Sequence, residues 1–320
     1  MKAAIVTVQG ATPVYGDFPD PVAAGGERHI RVTAAALSQI TRGRASGAHY
    51  SSGPTAFPFV PGIDGVGRLE DGRRVYFVMP RPPLGSMAEQ VAVAERQCVP
   101  LPDTLDDVTA AAIANPGMSS WGALVERARL RPGETVLVNG ATGTSGRLAV
   151  QIAKHLGAAR VIATGRNPAT LESLRALGAD VVVPLTADGE ERDAQFEQIF
   201  AAGVDVVLDY LWGDSARALL IAAAKAGADA VPIRFVQIGS VSGGEIGLPS
   251  AVLRASAIEL MGSGIGSIAF QRLIAAISGV FGAVEPAGLQ IATKPVPLAD
   301  VTQAWNAAGP ERIVFTTGQG

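Results

Sequence analysis

Gly140, Gly143 and Gly146 follow the apolar run Val136-Leu137-Val138 at three-residue intervals and lead directly into Arg147-Leu148-Ala149-Val150-Gln151-Ile152-Ala153-Lys154. A strand that ends in such a turn and restarts as an amphipathic helix can cradle a dinucleotide pyrophosphate. The first glycine permits the tight turn, the second lets phosphate approach the backbone, and the third lets helix and strand pack closely. Free N–H groups at the helix start, around Thr142, Gly143, Thr144 and Ser145, then face the anion. Glycine is abundant, 38 of 320 residues, so the spacing alone is weak and its context must support it.

About twenty residues further on, the end of the second strand selects between dinucleotides, and an acidic residue there holds the ribose hydroxyls of NAD. This chain has Thr164-Gly165-Arg166-Asn167 instead, with no carboxylate until Glu172. A guanidinium suits the 2′-phosphate of NADP through bidentate, charge-assisted hydrogen bonds. Gly165 and Arg166 therefore predict NADP(H) as cofactor. The competing reading is a solvated loop arginine, in a chain whose 26 basic residues are almost all arginine.

The elements that must position these residues alternate in type. A helix is expected over 144–156, a strand over 160–164, a helix from about 168 that ends at Gly178, and strands over 181–183, 204–208 and 235–238. This is an α/β pattern with a doubly wound parallel sheet. Before residue 115 the chain shows short β-like runs over 30–32, 65–68, 74–78 and 89–93. Between them lie segments rich in Pro and Gly, from Pro54 to Gly62 and from Pro80 to Gly85. That pattern predicts a small β-rich domain. After about residue 265 come a helix over 269–278, Pro295-Val296-Pro297-Leu298, a helix over 299–308 and a strand over 313–315. This tail is too short for its own domain and is expected to return to the first. The predicted division is 1–115 completed by about 266–320, with 116–265 as the nucleotide-binding domain.

A net charge of −3 with no basic stripe argues against nucleic acid or an anionic membrane as partner. No apolar run approaches the eighteen residues of a membrane span, and Met1 to Val8 reads as the first strand of a cytoplasmic enzyme. One cysteine, Cys98, excludes an intramolecular disulfide and a cysteine-rich metal site.

Further motifs run the length of the chain: Gly85-Ser86-Met87-Ala88-Glu89-Gln90-Val91, Leu101-Pro102-Asp103, Arg131-Pro132-Gly133-Glu134-Thr135, the glycine turn and Gln151-Ile152-Ala153-Lys154-His155-Leu156-Gly157-Ala158. With them the sequence resembles the medium-chain dehydrogenase/reductase superfamily, most closely its zinc-independent quinone oxidoreductase branch. The resemblance implies a GroES-like catalytic domain built from both chain ends, a Rossmann NADP-binding domain between them, and hydride transfer from NADPH to a quinone or a carbonyl-conjugated C=C bond. A small-molecule quinone or enone is then the partner, together with a second copy of the chain in a homodimer, for which Ile258-Glu259-Leu260-Met261 is a candidate edge.

Catalytic zinc needs three protein ligands and an open position. Where the superfamily places them, this chain has Leu37-Ser38-Gln39-Ile40 and Gly62-Ile63-Asp64, and the structural zinc lobe is replaced by Pro80-Arg81-Pro82-Pro83. No metal is expected, and Cys98 reads as a small buried hydrophobe. The family's Asn and Asp beside the cofactor fall at Ser38 and Thr41, and its nearby tyrosine falls at His49 or Tyr50. Either of the latter could act as hydrogen-bond donor or proton source, or both could be ordinary loop residues. On the cofactor side the resemblance points to Ser119, Gly239, Ser240 and Ser263. The family's lysine for the 2′-phosphate aligns with Thr170, which places more weight on Arg166. Trp121, Trp305 and Phe281 read as packing residues, whereas Trp212 fits either the adenine side or a subunit contact. The alternatives are a non-catalytic NADPH-binding protein or, further off, a zinc-type alcohol dehydrogenase that has lost its metal.

Overall fold

Continuous apolar runs after residue 135 form strands buried on both faces, and the shorter runs near the two chain ends form a largely antiparallel sheet. The structure is a computed structural model describing residues 1–52, 56–186 and 189–318. Pro54, in the Pro/Gly-rich segment noted above, lies outside the described residues.

In chain order the strands are β1 (Lys2–Ile5), β2 (Val14–Asp17), β3 (Glu27–Ala36), β4 (Asp64–Leu69), β5 (Arg74–Val78), β6 (Gln90–Ala94), β7 (Cys98–Pro100), β8 (Thr135–Asn139), β9 (Arg160–Gly165), β10 (Val181–Pro184), β11 (Val206–Asp209), β12 (Ile233–Gln237), β13 (Ile258–Gly262), β14 (Thr293–Pro297) and β15 (Arg312–Thr316). The α-helices are α1 (Gln39–Ser46), α2 (Asp107–Gly122), α3 (Thr144–His155), α4 (Pro168–Ser173), α5 (Gly189–Ala201), α6 (Gly213–Ala226), α7 (Ser250–Arg254), α8 (Phe270–Ala283) and α9 (Val301–Ala304). The chain divides into two units. The first comprises Met1–Asn115, Val280–Val284 and Gln290–Gly320, and the second Pro116–Gly279 and Glu285–Leu289.

The second unit holds a six-stranded parallel sheet in the order β10-β9-β8-β11-β12-β13. The order reverses at β8, and in open α/β sheets the crevice at that reversal, beyond the carboxyl ends of the strands, is where ligands bind. Val136, Leu137 and Val138 of β8 are fully buried, as a strand covered on both faces requires. α3 lays Leu148, Ala149, Ile152 and Ala153 inward. Phe196 and Phe200 of α5 join Leu219 and Leu220 of α6 in the core around Leu137, Val207 and Phe235.

In the first unit β3 is the hub: it pairs with β4, with β6 through its first half, and with β15 through its last residues. The sheet runs β14-β15-β3-β4-β5-β7, and β1 and β2 form a separate ribbon. The C-terminal strand thus completes the N-terminal sheet, with Val314 opposite Ala36. Trp305 and Phe315 are buried among Ala3, Leu37 and Met87, and the Phe281 ring meets Tyr76 edge-on, with centroids 5.6 Å apart.

Three local expectations change. The sequence pattern places no helix over 107–122, yet α2 runs straight through Pro116 and continues in widened turns to Ala128. The Ser120 hydroxyl bonds back to the Pro116 carbonyl at 3.1 Å. The helix expected over 299–308 is a tight turn at Leu298–Asp300 followed by the single turn of α9, because the chain unwinds before Gly309-Pro310. α8 extends to Ala283, five residues past the expected end. Cys98 is half-buried at the start of β7, and burial pushes its thiol up to about 11, which keeps it protonated and inert.

Candidate functional site

The three glycines after β8 are needed for three different reasons. Gly140 turns the chain at φ +85°, and a side chain there would also meet Leu211 at 2.8 Å. At Gly146 a Cβ would lie 2.5 Å from the Gly140 carbonyl oxygen and 2.6 Å from the Ala141 Cα, so helix and turn can approach only without it. Gly143 has φ −77°, is exposed, and a Cβ would meet nothing closer than the Gly140 oxygen at 3.9 Å. None of the described residues demands glycine at 143, and the approach over that backbone is open. Gly143 is also the N-cap of α3, and no side chain caps its first N–H groups. These groups and the helix dipole present an anion-binding end.

Beneath the turn lies a buried polar network that sequence reasoning missed. The Thr164 hydroxyl accepts from the Gly140 N–H at 3.1 Å and donates to Asn139 Oδ1 at 2.7 Å. Asn139 Nδ2 donates to Asp209 Oδ1 at 2.8 Å and to the Ser215 hydroxyl at 3.0 Å. Asp209 also accepts the N–H groups of Leu211 and Trp212. Burial raises its carboxyl to about 6, against these hydrogen bonds, which favour the ionised form. The network ties β8, β9 and β11 together beneath the glycine turn. Its only sequence signal is polar residues ending otherwise apolar strands.

At the end of β9, Thr142 packs so closely on Gly165 that a Cβ there would overlap Thr142 Cγ2. Arg166 is exposed and has no ion-pair partner among the described residues. The Asn167 side chain accepts the Thr170 N–H at 3.0 Å and caps α4, leaving Arg166 as the base at this strand end. On the other side of β8, a cavity of about 410 Å³ is lined by Trp212, Gln237, Ser240, Leu260, Met261 and Gly262. Ser263 follows directly, its N–H on the Gln237 carbonyl at 2.8 Å. A side chain on Gly239 would lie 2.6 Å from the Tyr210 carbonyl oxygen. Trp212 holds φ +57°, a costly conformation for a bulky residue, with its N–H on the Asp209 carboxylate. It therefore lies toward β12 and β13, away from the β9 end that carries Arg166. Ser119 is half-buried, while its neighbour Ser120 is buried with its hydroxyl 2.8 Å from that of Tyr210.

The candidate catalytic residues lie in the first unit, at the two ends of α1. Ser38 is the N-cap: its hydroxyl accepts the Thr41 N–H at 3.1 Å and lies 2.8 Å from the Thr41 hydroxyl, both side chains being buried. Beyond the Gly47 cap at the other end the chain folds back, the His49 N–H bonding to the Gly43 carbonyl at 3.1 Å, and the His49 and Tyr50 ring centroids lie 4.4 Å apart at a tilt of 32°. His49 Nδ1 accepts the Ser51 N–H at 3.1 Å, which places the ring proton on Nε2. Burial and the nearby Arg44 charge lower the His49 pKa, keeping the ring neutral. Tyr50 is 71% exposed. The structure therefore brings Ser38 to Thr41 and His49 to Tyr50, with His49 folded back onto α1 at Gly43.

Ile63, at the position of a zinc-binding imidazole, is buried and offers no donor atom. Asp64 beside it is fully buried with Oδ2 accepting the Tyr76 hydroxyl at 2.7 Å, and burial raises its carboxyl to about 6 against the opposing effects of Tyr76 and Arg312. Among the described residues, no group of three or more His, Cys, Asp or Glu side chains could hold a metal ion. The donor set does not fit catalytic zinc.

Comparison with known proteins matches residues 146–279 to the family described as Zinc-binding dehydrogenase. The chain is 29% identical to the Probable NADPH-dependent quinone reductase tdiC of Emericella nidulans, over 95% of this chain and 96% of that protein. It is 34% identical to the spectinabilin polyketide synthase system protein NorB of Streptomyces orinoci over 86% of this chain, but spans only 12% of that protein. With the 2-methylene-furan-3-one reductase of Solanum lycopersicum it shares 30% identity over 53% of this chain and 48% of that protein. Among solved structures, the quinone oxidoreductase of Thermus thermophilus, also crystallised with NADPH, superposes with a TM-score of 0.81 at 29% identity, covering 99% of this chain and all of that one.

The parallel Rossmann sheet, its glycine turn and the β-rich unit completed by both chain ends define a medium-chain dehydrogenase/reductase, and the chain belongs to that superfamily. Within it, the chain falls in the quinone oxidoreductase-like branch and is an oxidoreductase of the quinone reductase type.

Proposed function

We propose that the chain is an NADPH-dependent reductase that delivers a hydride to a quinone or to a C=C bond conjugated to a carbonyl, without zinc. The observation that carries this reading is the pairing of an unobstructed Gly143 at the α3 N-terminus with an exposed Arg166 at the end of β9 that meets no carboxylate among the described residues. A pyrophosphate needs the first and a 2′-phosphate the second. The N–H groups over Thr142, Gly143, Thr144 and Ser145 would hold the pyrophosphate. Gly165 and Arg166 would hold the adenosine phosphate, and Ser119, Gly239, Ser240 and Ser263 the nicotinamide half. When bound, NADPH supplies the hydride from nicotinamide C4.

This chain's own residues would receive the negative charge that then develops on the acceptor oxygen. Ser38 and Thr41 together hold two hydroxyl protons, and their mutual hydrogen bond uses one. The other can point at the acceptor oxygen as a hydrogen-bond donor. His49, neutral with its proton on Nε2, Tyr50 or water would return the proton to carbon or oxygen. None of these steps needs a Lewis acid, and reduction of a polarised acceptor avoids the alcohol deprotonation for which zinc is used. The names of the Emericella and tomato relatives support a quinone and an enone acceptor respectively. The first unit is then the catalytic domain and the second the NADP-binding domain, in a cytoplasmic homodimer that could pair through β13, the edge strand where Leu260 is exposed.

A second reading, NADPH binding without catalysis, draws on the commitment of Ser38 and Thr41 to capping α1. NADPH oxidation with a panel of quinones and enones, measured beside NADPH binding, tests the two. Turnover with stoichiometric hydroquinone or saturated ketone supports the reductase, whereas tight binding with no acceptor turned over supports the second reading.

A further inference from the structure

The first unit contains a cavity of about 350 Å³ between α1, the segment 59–63 and the segment 79–84. That volume suits a small molecule of one or two rings. Its wall is largely apolar, formed by Phe59, Val60, Ile63, Met79 and Leu84, and Thr41 opens onto it. Among its polar residues, Arg44 stands apart.

Arg44 sits in the last turn of α1, where a cation is favoured by the helix dipole. An arginine serving only that purpose extends into solvent. Arg44 is instead half-buried, and its guanidinium meets two uncharged groups: Met79 Sδ at 3.6 Å from Nη1 and the Ser51 carbonyl at 3.3 Å from Nη2. No carboxylate pairs with it among the described residues, whereas the other arginine at this cavity, Arg81, is bound to Glu27 at 3.3 Å. A thioether and one carbonyl cannot compensate a guanidinium with five donors for lost water. The Ser52 hydroxyl, also in the wall, is buried with no partner among the described residues. Burial lowers the Arg44 pKa, and an arginine so shifted still carries its charge at neutral pH. His49, kept neutral beside it, adds no competing cation.

We propose that this cavity is a binding site for an amphipathic organic anion, with Arg44 pairing the carboxylate or sulfonate, Ser52 donating to it, and the apolar wall holding the ring or chain. The site itself needs no assumption about turnover. That its occupant is the hydride acceptor, so that acid-bearing quinones or enones are preferred, rests on the reductase reading above and on Thr41 lining the same space.

The test is calorimetric titration of the full chain with 2-naphthoate and with its neutral isostere 2-naphthamide. The wild type should bind the carboxylate about tenfold or more tightly than the amide, the factor expected of a charge-assisted hydrogen bond. Arg44→Gln should abolish that preference and Arg44→Lys should retain part of it. Equal affinity of the two probes for the wild type, a comparison that needs no variant, overturns the site, as does an undiminished preference in a folded Arg44→Gln protein. The acceptor assignment is read separately from NADPH oxidation with 1,4-naphthoquinone and 1,4-naphthoquinone-2-sulfonate. A lower wild-type KM for the sulfonate, lost in Arg44→Gln, supports it. Turnover of both quinones without that KM difference overturns it. Turnover of neither defeats the reductase reading, and with it the acceptor assignment, while the calorimetry still decides the site.

Discussion

At the end of β8 the informative positions are those that lack a side chain, whereas around α1 they are hydroxyls, an imidazole and a phenol. Gly140, Gly143 and Gly146 each answer a geometric demand: a positive φ, an open approach and a close contact. At Gly140 and Gly146 these demands disfavour every residue with a Cβ, so the spacing carries its meaning in the sequence. Ser38 and Thr41 could be a helix cap, an oxyanion partner or both, and only the 3.1 Å hydrogen bond from the Thr41 N–H to the Ser38 hydroxyl shows that Ser38 already caps α1. Backbone requirements are thus written locally, and side-chain chemistry depends on what the fold brings near.

The largest effects should come from the glycines. Gly143→Val should leave thermal stability nearly unchanged and abolish NADPH binding, because the new side chain fills only the approach to the backbone. Gly146→Val should lower stability by ~2–3 kcal/mol, because its Cβ meets backbone atoms that cannot move aside. Thermal melts with NADPH titration of both variants check this, and the contrast breaks if Gly143→Val still binds or if both unfold alike. Arg166→Ala comes next: loss of a charged hydrogen bond should weaken NADPH by ~1.5–3 kcal/mol and leave NADH nearly unaffected. Equal affinity of the unaltered protein for both cofactors would exclude Arg166 as the 2′-phosphate ligand.

A pH series compares the buried carboxyls of the two regions, Asp209 beneath the glycine turn and Asp64 beside Ile63. Each is raised from 3.8 to about 6, so the folded state holds its proton more tightly than the unfolded chain. The resulting stability is fully present below about pH 3.8 and is lost as pH rises through about 6. Asp209→Asn and Asp64→Asn should each flatten the fall in Tm between pH 4 and 7. A profile identical to wild type contradicts the assigned burial of that carboxyl. The smallest effect is that of Ser38→Ala, which should cost ~1 kcal/mol through loss of the α1 cap. A fall in kcat well beyond what that loss of stability explains would favour a chemical role for the hydroxyl pair.

The strands of the nucleotide-binding sheet were legible because buried parallel strands are written as unbroken apolar runs, and β8, β9 and β12 fall within two residues of expectation. α2 was not, since Pro116-Gly117 is a breaker signal that burial of Ala110 to Ala114 and the Ser120 side chain overcome. Asn139, Thr164 and Asp209 were unreadable for another reason: successive members are 25 and 45 residues apart in sequence, and a hydrogen bond between strand ends leaves no periodic trace. Arg44 likewise looks like any basic residue in a last helical turn until the uncharged groups around its guanidinium are seen.

Metal-independent reduction with NADPH is tested most directly by assaying the purified chain after exhaustive chelation. The predicted result is undiminished NADPH oxidation with a quinone or an enone, no stoichiometric metal, and little oxidation of simple alcohols with NADP. Loss of activity on chelation, restored by zinc, would contradict it.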